Sequence, residues 1–101
     1  MPSVYVLNDM THDYSTAERH GELVYVTEGR FPIFKTDTLI NKLKEELKDF
    51  ADEDFLLISG PSLLAIYSVP MLLKRLGVIK LLVFDAKQQS YVVRHINQDN
   101  L

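Results

Sequence analysis

The chain contains, at residues 55–62, the sequence FLLISGPS, in which four apolar residues are followed by a polar turn. The apolar run shows no alternation with polar side chains, so a strand formed by it must be covered on both faces. Such coverage is typical of a central strand in a parallel sheet. Pro61 is suited to the first position of a following helix, because that position needs no backbone N–H donor. These eight residues therefore predict a buried strand that leads directly into a helix.

The helix predicted after this turn is apolar almost all round, which requires burial on nearly every side. Pro70 lies inside it and lacks the backbone N–H that the carbonyl of Ile66 would need. The sequence therefore predicts a kink at Pro70, or two short helices of which Ser68 caps the second. Gly77 is expected to end the helix. The apolar residues of this segment are Leu63, Leu64, Ile66, Tyr67, Val69, Met71, Leu72, Leu73 and Leu76.

Outside this unit, a helix is predicted at residues 37–51, where apolar side chains share one side and charged ones cover the other. Thr36 or Asp37 can cap its start. A shorter helix is predicted to begin at the sequence STAE, residues 15–18, which fits a capping box with Ser15 as the cap. Runs of β-branched, aromatic and other apolar residues predict further strands at residues 4–7, 23–26, 79–84 and 91–96.

Strands and helices alternate along most of the chain, which predicts an α/β fold. We expect a single domain over residues 1–101, with a mostly parallel, Rossmann-like sheet of about five strands and two or three helices. The last predicted strand follows a polar hairpin loop and has one polar-bearing face, which favours an antiparallel edge strand. The order of the strands in the sheet is left open by the sequence.

Composition narrows the class of protein. The chain has 101 residues, of which 47% are hydrophobic and 25% charged, as in ordinary globular domains. Its net charge of −3 argues against broad electrostatic binding to nucleic acid or to a membrane. The absence of cysteine excludes disulfides and thiolate metal sites. No signal peptide or membrane-spanning stretch is recognised, so we expect a cytoplasmic protein, in the host cytoplasm or the virion if it is viral.

Polar side chains follow the predicted parallel strands at the points where these strands end. Carboxyl ends of parallel strands meet at one edge of a sheet, where ligands commonly bind. A small-molecule or nucleotide site at this rim is therefore one interpretation, and ordinary turn chemistry is the other. No phosphate-loop, dinucleotide or nucleophile-elbow motif is present, and no catalytic residue, metal site or cofactor is predicted. The candidate ligand-binding residues are Asp9, His12, Glu28, Ser59, Ser62 and Asp85.

The second feature with functional meaning is the surplus of large apolar residues. A small domain has limited interior, so part of this surplus is a candidate interface with a second copy or another protein. The alternative is that these residues fold over the domain's own core. The candidate interface residues are Phe31, Ile33 and Phe34 in an apolar connector and Leu63, Tyr67, Pro70 and Met71 in the second long helix.

Three short sequences carry a resemblance to a known group of proteins. Asp13-Tyr14-Ser15, Gly21-Glu22-Leu23 and Thr27-Glu28-Gly29 make the chain similar to small accessory or virion-associated proteins of tailed bacteriophages. The resemblance implies a viral protein without an established catalytic site, and it transfers no functional residues. Together with the apolar surplus, it leads us to expect a non-enzymatic protein that acts by self-assembly or by binding a partner protein. The alternative is a small-molecule or nucleotide binder, or a simple enzyme, that uses the strand-end rim.

Overall fold

The computed structural model describes residues 1–10, 12–30 and 35–101. Its strands are β1 (Ser3–Val6), β2 (Glu22–Tyr25), β3 (Phe55–Leu57), β4 (Val78–Asp85) and β5 (Ser90–Asn97). Two α-helices, α1 (Thr36–Glu46) and α2 (Ser62–Leu76), precede β3 and β4. Two 3₁₀ helices complete the described elements, a first one at Ser15–His20 between β1 and β2 and a second at Gln98–Asn100.

The five strands form one sheet in the order β2-β1-β3-β4-β5. The first four strands in this order run parallel, and β5 pairs with β4 as an antiparallel hairpin at the edge. The prediction of an α/β domain with a mostly parallel sheet and a C-terminal antiparallel strand is therefore confirmed. The central position of β3, between β1 and β4, explains why its sequence is apolar without alternation.

The connections between strands leave the sheet in two directions. The chain moves from β1 to the edge strand β2 through the first 3₁₀ helix, and it then returns across β1 to β3 and on to β4 through α1 and α2. Right-handed crossovers that run in opposite directions lie on opposite faces of a sheet. The two α-helices accordingly cover one face, which we call the helical face, and the first 3₁₀ helix covers the other, which we call the thin face.

Successive residues of each strand divide between these two faces. On the helical face, Leu56 of β3 joins a core with Tyr5 and with buried leucines of both helices. On the thin face, the neighbouring Leu57 joins a smaller core that Tyr14 and Ala17 cover from outside the sheet. Alternation of this kind follows from the two-residue period of a strand. The sheet is therefore buried on both sides, but by unequal amounts of structure.

Helix α2 is not divided into two short helices at Pro70, which was one of the two predicted alternatives. The helix is continuous over Ser62–Leu76 and ends, as predicted, at Gly77, which has a left-handed φ of 80°. Pro70 and Ile66 both lie on the exposed side, so water can satisfy the carbonyl that Pro70 leaves without a donor. Ser68 is buried inside the helix rather than capping a second one.

The helix starts also differ from their predictions. Ser15 does not cap the first 3₁₀ helix with its side chain; instead its backbone N–H donates to Asp13 Oδ1 at 2.9 Å. Neither Thr36 nor Asp37 caps α1, which begins after Lys35 without a side-chain cap. Pro61 is the residue before α2 rather than its first residue.

Helix α1 is also shorter than predicted, since it ends at Glu46 rather than near residue 51. The carbonyls of Leu47 and Phe50, beyond its end, accept hydrogen bonds from the Arg75 guanidinium at 3.0 and 2.5 Å. This arginine lies in the last turn of α2 and so joins the ends of the two helices. None of the helices in the described part of the chain combines the length and apolar character needed to cross a bilayer.

Candidate functional site

The site lies where two neighbouring strands send their connections to opposite faces of the sheet. The chain leaves β1 toward the thin face and leaves the adjacent β3 toward the helical face. In open α/β sheets a crevice opens outside the carboxyl ends of two such strands, and ligands bind there. The residues that follow β1 and β3, around Asn8 and Ser59, therefore form the candidate functional site.

Asn8 joins three elements at this point through its backbone. Its N–H donates to Ser59 Oγ at 3.0 Å, and its carbonyl accepts from the same hydroxyl at 2.8 Å. The Tyr14 hydroxyl donates to that carbonyl as well, at 3.1 Å, and accepts from the Met10 N–H at 3.1 Å. The ends of β1 and β3 and the segment before the first 3₁₀ helix are thereby held in fixed relation.

The Asn8 side chain extends the same network to the strand on the other side. Its Nδ2 donates to Thr27 Oγ1 at 2.7 Å and to the Gly29 carbonyl at 3.0 Å. The Thr27 hydroxyl in turn donates to the Leu7 carbonyl at 2.6 Å. Asn8 Oδ1 has no hydrogen-bond partner among the described residues. Asn8 is thus a buried polar hub between β1, β2 and β3.

Gly60 lets β1 and β3 come this close at their ends. A Cβ placed on it would lie 2.5 Å from the Cβ of Asn8, far inside van der Waals contact. Its φ of +76° also belongs to the left-handed region that favours glycine. Any side chain at this position would therefore push Asn8 away from Ser59 and disturb the hub.

A cavity of about 500 Å³ opens beside the hub on the thin face. The end of β3 forms its floor, the first 3₁₀ helix and the loop before it form one wall, and the β4–β5 hairpin forms the other. The fold therefore places a cavity at its switch point. Its lining residues are His12, Asp13, Thr16, Ile58, Ser59, Gly60, Phe84, Gln89 and Tyr91.

Aromatic rings provide the hairpin wall of this cavity. Phe84 and Tyr91 face each other across β4 and β5, with ring centroids 5.3 Å apart and planes at 66°. The Tyr91 ring also lies 6.2 Å from that of Tyr14, which belongs to the hub. Phe84 remains 50% exposed, whereas Tyr91 is buried. A half-exposed aromatic side chain therefore takes part in the cavity lining.

Two ionisable groups of the lining have shifted pKa values. Hydrogen bonds from the Ser15 side chain and backbone lower the pKa of Asp13, so its carboxylate is charged at neutral pH. Burial, followed by the proximity of Tyr14 and of Asp13, raises the pKa of Tyr91, which keeps its hydroxyl protonated. The cavity lining thus combines a negatively charged acceptor, the Asp13 carboxylate, with a neutral donor, the Tyr91 hydroxyl.

A second, shallower cavity of about 450 Å³ lies beside the end of β2, with Tyr25, Glu28, Lys42 and Glu46 in its lining. Lys42 Nζ and Glu46 Oε1 form an ion pair across 3.0 Å within this lining. Two of its three charged side chains, those of Lys42 and Glu46, are therefore already engaged with each other.

The predicted rim residues are distributed around this edge of the sheet. His12 and Ser59 line the cavity at the switch point, whereas Glu28 lines the second cavity. Asp9 and Glu28 form an isolated parallel bridge through their backbones, which extends the β1–β2 pairing. Asp85 Oδ1 accepts from the backbone N–H groups of Lys87 and Gln88 in the hairpin turn. Ser62 begins α2 and lies outside both linings.

Several residues of this site were not among the predicted candidates, including Asn8 and Tyr14 of the hub and Phe84 and Tyr91 of the cavity lining. Their role depends on which strands are neighbours and on which face each side chain lies. The sequence signal that could have pointed to Tyr14 is a large aromatic residue within an otherwise polar loop.

The predicted interface residues are placed as follows. Leu63, Tyr67 and Met71 are partly buried against the core of the helical face, and Pro70 is exposed. Phe31, Ile33 and Phe34 lie outside the described residues.

Within residues 1–10, 12–30 and 35–101, no group of three His, Asp or Glu side chains is arranged to hold a metal ion.

The fold and the cavity define a small doubly wound α/β domain with a crevice at its switch point. The chain belongs to the Phage Pam3 gp32-like protein family, whose sequence profile matches residues 2–98. This match confirms the resemblance to phage proteins. No curated protein and no solved structure matches the chain at a significant level.

Proposed function

We propose that this phage protein binds a small molecule in the cavity at the switch point. The observation that carries the proposal is the coincidence of two independent features. A cavity of about 500 Å³ lies at the edge of the sheet where the topology of an open α/β fold predicts a ligand.

The size and chemistry of the cavity support this proposal. Ligand pockets commonly measure about 300–1,000 Å³ and combine apolar walls with a few polar groups. The cavity has about 500 Å³, aromatic groups on the hairpin side, and the polar side chains of Asp13, Ser59 and Gln89.

The hub beside the cavity supports it as well. Ser59 is held by two hydrogen bonds to the backbone of Asn8, and Tyr14 is held by two more. Walls that are fixed before binding lose less conformational freedom when a ligand arrives, which favours affinity. Such a rigid floor is what a specific small-molecule site requires.

A fragment screen by protein-observed NMR tests the proposal. We expect fragments of one chemical class to shift the backbone amides of Ser59, Gly60 and Gln89. Gln89→Trp places a large ring at the cavity wall, whereas Gln88→Trp changes the neighbouring residue of the same exposed turn, outside the lining. Binding should be lost in the first variant and kept in the second. A screen without cavity shifts, or hits that bind both variants equally, would exclude the site.

Self-association through α2 is the second candidate, favoured by a separate observation. Ile66 is 58% exposed, and the exposed Pro70 lies one turn further along the same side of the helix. Exposed apolar residues one turn apart form a stripe of the kind that a second copy can cover. This proposal keeps the expectation of a protein that acts by association. Ile66 replaces Tyr67 as the proposed contact residue, because Tyr67 packs against the core.

Light scattering over a tenfold range of concentration tests this second candidate. We expect a dimer for the unchanged protein and a monomer for Ile66→Lys, with both folded by circular dichroism. Lys44→Ala, a change at an exposed residue of α1, is the control and should remain dimeric. A monomer at every concentration would remove self-association through this stripe.

A further inference from the structure

We propose that the ligand of the switch-point cavity is an uncharged, planar nitrogen heterocycle with N–H donors, of the size and chemistry of a purine nucleoside. This inference rests on the proposed function of the cavity. It adds a class of ligand, which follows from the shape, polarity and charge of the lining.

The aromatic wall favours a flat ring. Phe84 is half exposed at the cavity, and its other contact there is the edge-to-face arrangement with Tyr91. An aromatic side chain with a free surface can stack on a heterocycle, and such stacking tolerates many bases because every base has a π-face. The hairpin wall can therefore take a planar ring against Phe84.

The polar lining favours N–H donors on that ring. The Asp13 carboxylate is an acceptor only, since its pKa is lowered by the hydrogen bonds from Ser15. The Gln89 side chain adds a carbonyl acceptor on the opposite wall. A carboxylate accepts two adjacent N–H donors especially well, and guanine presents such a pair at N1 and N2.

The charge of the lining argues against phosphate. The lining contains one carboxylate, that of Asp13, and one histidine, His12. Among its described residues it has neither lysine nor arginine, the side chains that stay positively charged at neutral pH. A nucleotide would bring its negative phosphate close to Asp13 without a fixed cation to balance the charge. The nucleoside should therefore bind better than its own monophosphate.

Calorimetric titrations with guanosine, 1-methylguanosine and guanosine 5′-monophosphate test the inference. We expect guanosine to bind about tenfold more tightly than 1-methylguanosine, which lacks the N1 donor. In Asp13→Asn this preference should shrink, because the amide keeps the acceptor for Ser15 but loses the charge. Guanosine 5′-monophosphate should bind more weakly than guanosine.

The role of stacking is tested at Phe84, and the control is its neighbour Val83, which lies on the opposite face of β4. Phe84→Ala should weaken guanosine binding about tenfold. Val83→Ala, at a residue that is 37% exposed and lies outside the cavity lining, should leave it unchanged.

The outcomes separate this inference from the proposed function. If fragments shift the cavity amides but guanosine does not bind, or if the monophosphate binds more tightly than guanosine, the ligand class is wrong and the cavity remains a site. If neither fragments nor nucleosides bind, both proposals fail. Equal binding of guanosine and 1-methylguanosine would also overturn the role of the N–H donors.

Discussion

The two faces of the sheet receive similar strands but very different covers. On the helical face, two helices of 11 and 15 residues pack against each other and against the strands. On the thin face, a single 3₁₀ helix of 6 residues lies over the sheet and leaves the cavity beside it. The same backbone thus supports a tightly filled core on one side and an open site on the other. This difference shows that the part of the fold with least cover is also the part with room for a ligand.

The strongest test of this difference uses two consecutive residues of β3. Leu56 faces the helical side, Leu57 faces the thin side, and both are 0% exposed. Leucine-to-alanine changes in cores cost about 2–5 kcal/mol, less where the surroundings can collapse into the space. We expect Leu56→Ala to lower the free energy of unfolding by about 4 kcal/mol and Leu57→Ala by about 2.5 kcal/mol.

Urea denaturation of the two variants measures both values under the same conditions. The comparison is matched, because the residue type, the strand and the burial are the same. Equal losses, or a larger loss for Leu57→Ala, would mean that the thin face is packed as rigidly as the helical face.

The second prediction concerns Gly60, where the faces meet at the switch point. In Gly60→Ala the new Cβ would collide with Asn8, and the backbone would hold alanine at a φ of +76°. We expect a loss of about 3 kcal/mol, since a left-handed alanine costs roughly 1–2 kcal/mol and forced packing about 1–3.

Gly77→Ala is the control for this variant. Gly77 also has a left-handed φ, of +80°, but a Cβ on it would meet nothing within 4 Å. Its loss should therefore be only the backbone cost, about 1 kcal/mol. If thermal or urea denaturation gives the same loss for both variants, the close approach of Gly60 to Asn8 contributes nothing to stability.

The helical face and the thin face were also unequally predictable from the sequence. The run at β3, the proline turn and the apolar helix after it follow from local rules, and α2 begins and ends within one residue of expectation. The alternative of two short helices at Pro70 is wrong. The effect of a proline on a helix depends on which side of the helix faces water, and that is known only after the helix has docked.

The hydrogen-bond network of the site could not be predicted from local sequence patterns. Asn8, Thr27 and Ser59 lie far apart in the chain and meet only because β1 lies between β2 and β3. Strand order is a property of the whole sheet, so a sequence pattern at Asn8 carries no sign of these partners. His12 and Ser59 were identified as candidates because their strands end at this edge, whereas Phe84 and Tyr91 required the hairpin register.

The smallest predicted effect is a dependence of stability on pH that is confined to the thin face. His20 ends the first 3₁₀ helix, and its ring lies 5.2 Å from that of Phe55 in the thin-face core. Burial, and to a lesser degree the nearby charge of Arg19, lowers the pKa of His20 below its usual value. The Phe55 ring also carries Lys80 Nζ at 4.3 Å, so a second cation is close. A charged imidazole is therefore disfavoured in the folded protein.

A group with a lowered folded pKa of this kind binds its proton more readily in the unfolded chain. The free energy of unfolding should therefore fall as the pH drops from the unfolded value, near 6.5, through the lower folded value, and level off below it. Hydrogen-exchange protection factors, which correct for the slower intrinsic exchange at lower pH, should fall first at amides of the first 3₁₀ helix, such as Ala17, with little change in α1. In His20→Gln this local pH dependence should vanish while the acid response of the carboxylates remains. A fall in protection that is equal on both faces, or that also occurs in His20→Gln, would show that the weaker cover of the thin face is not sensitive to this histidine.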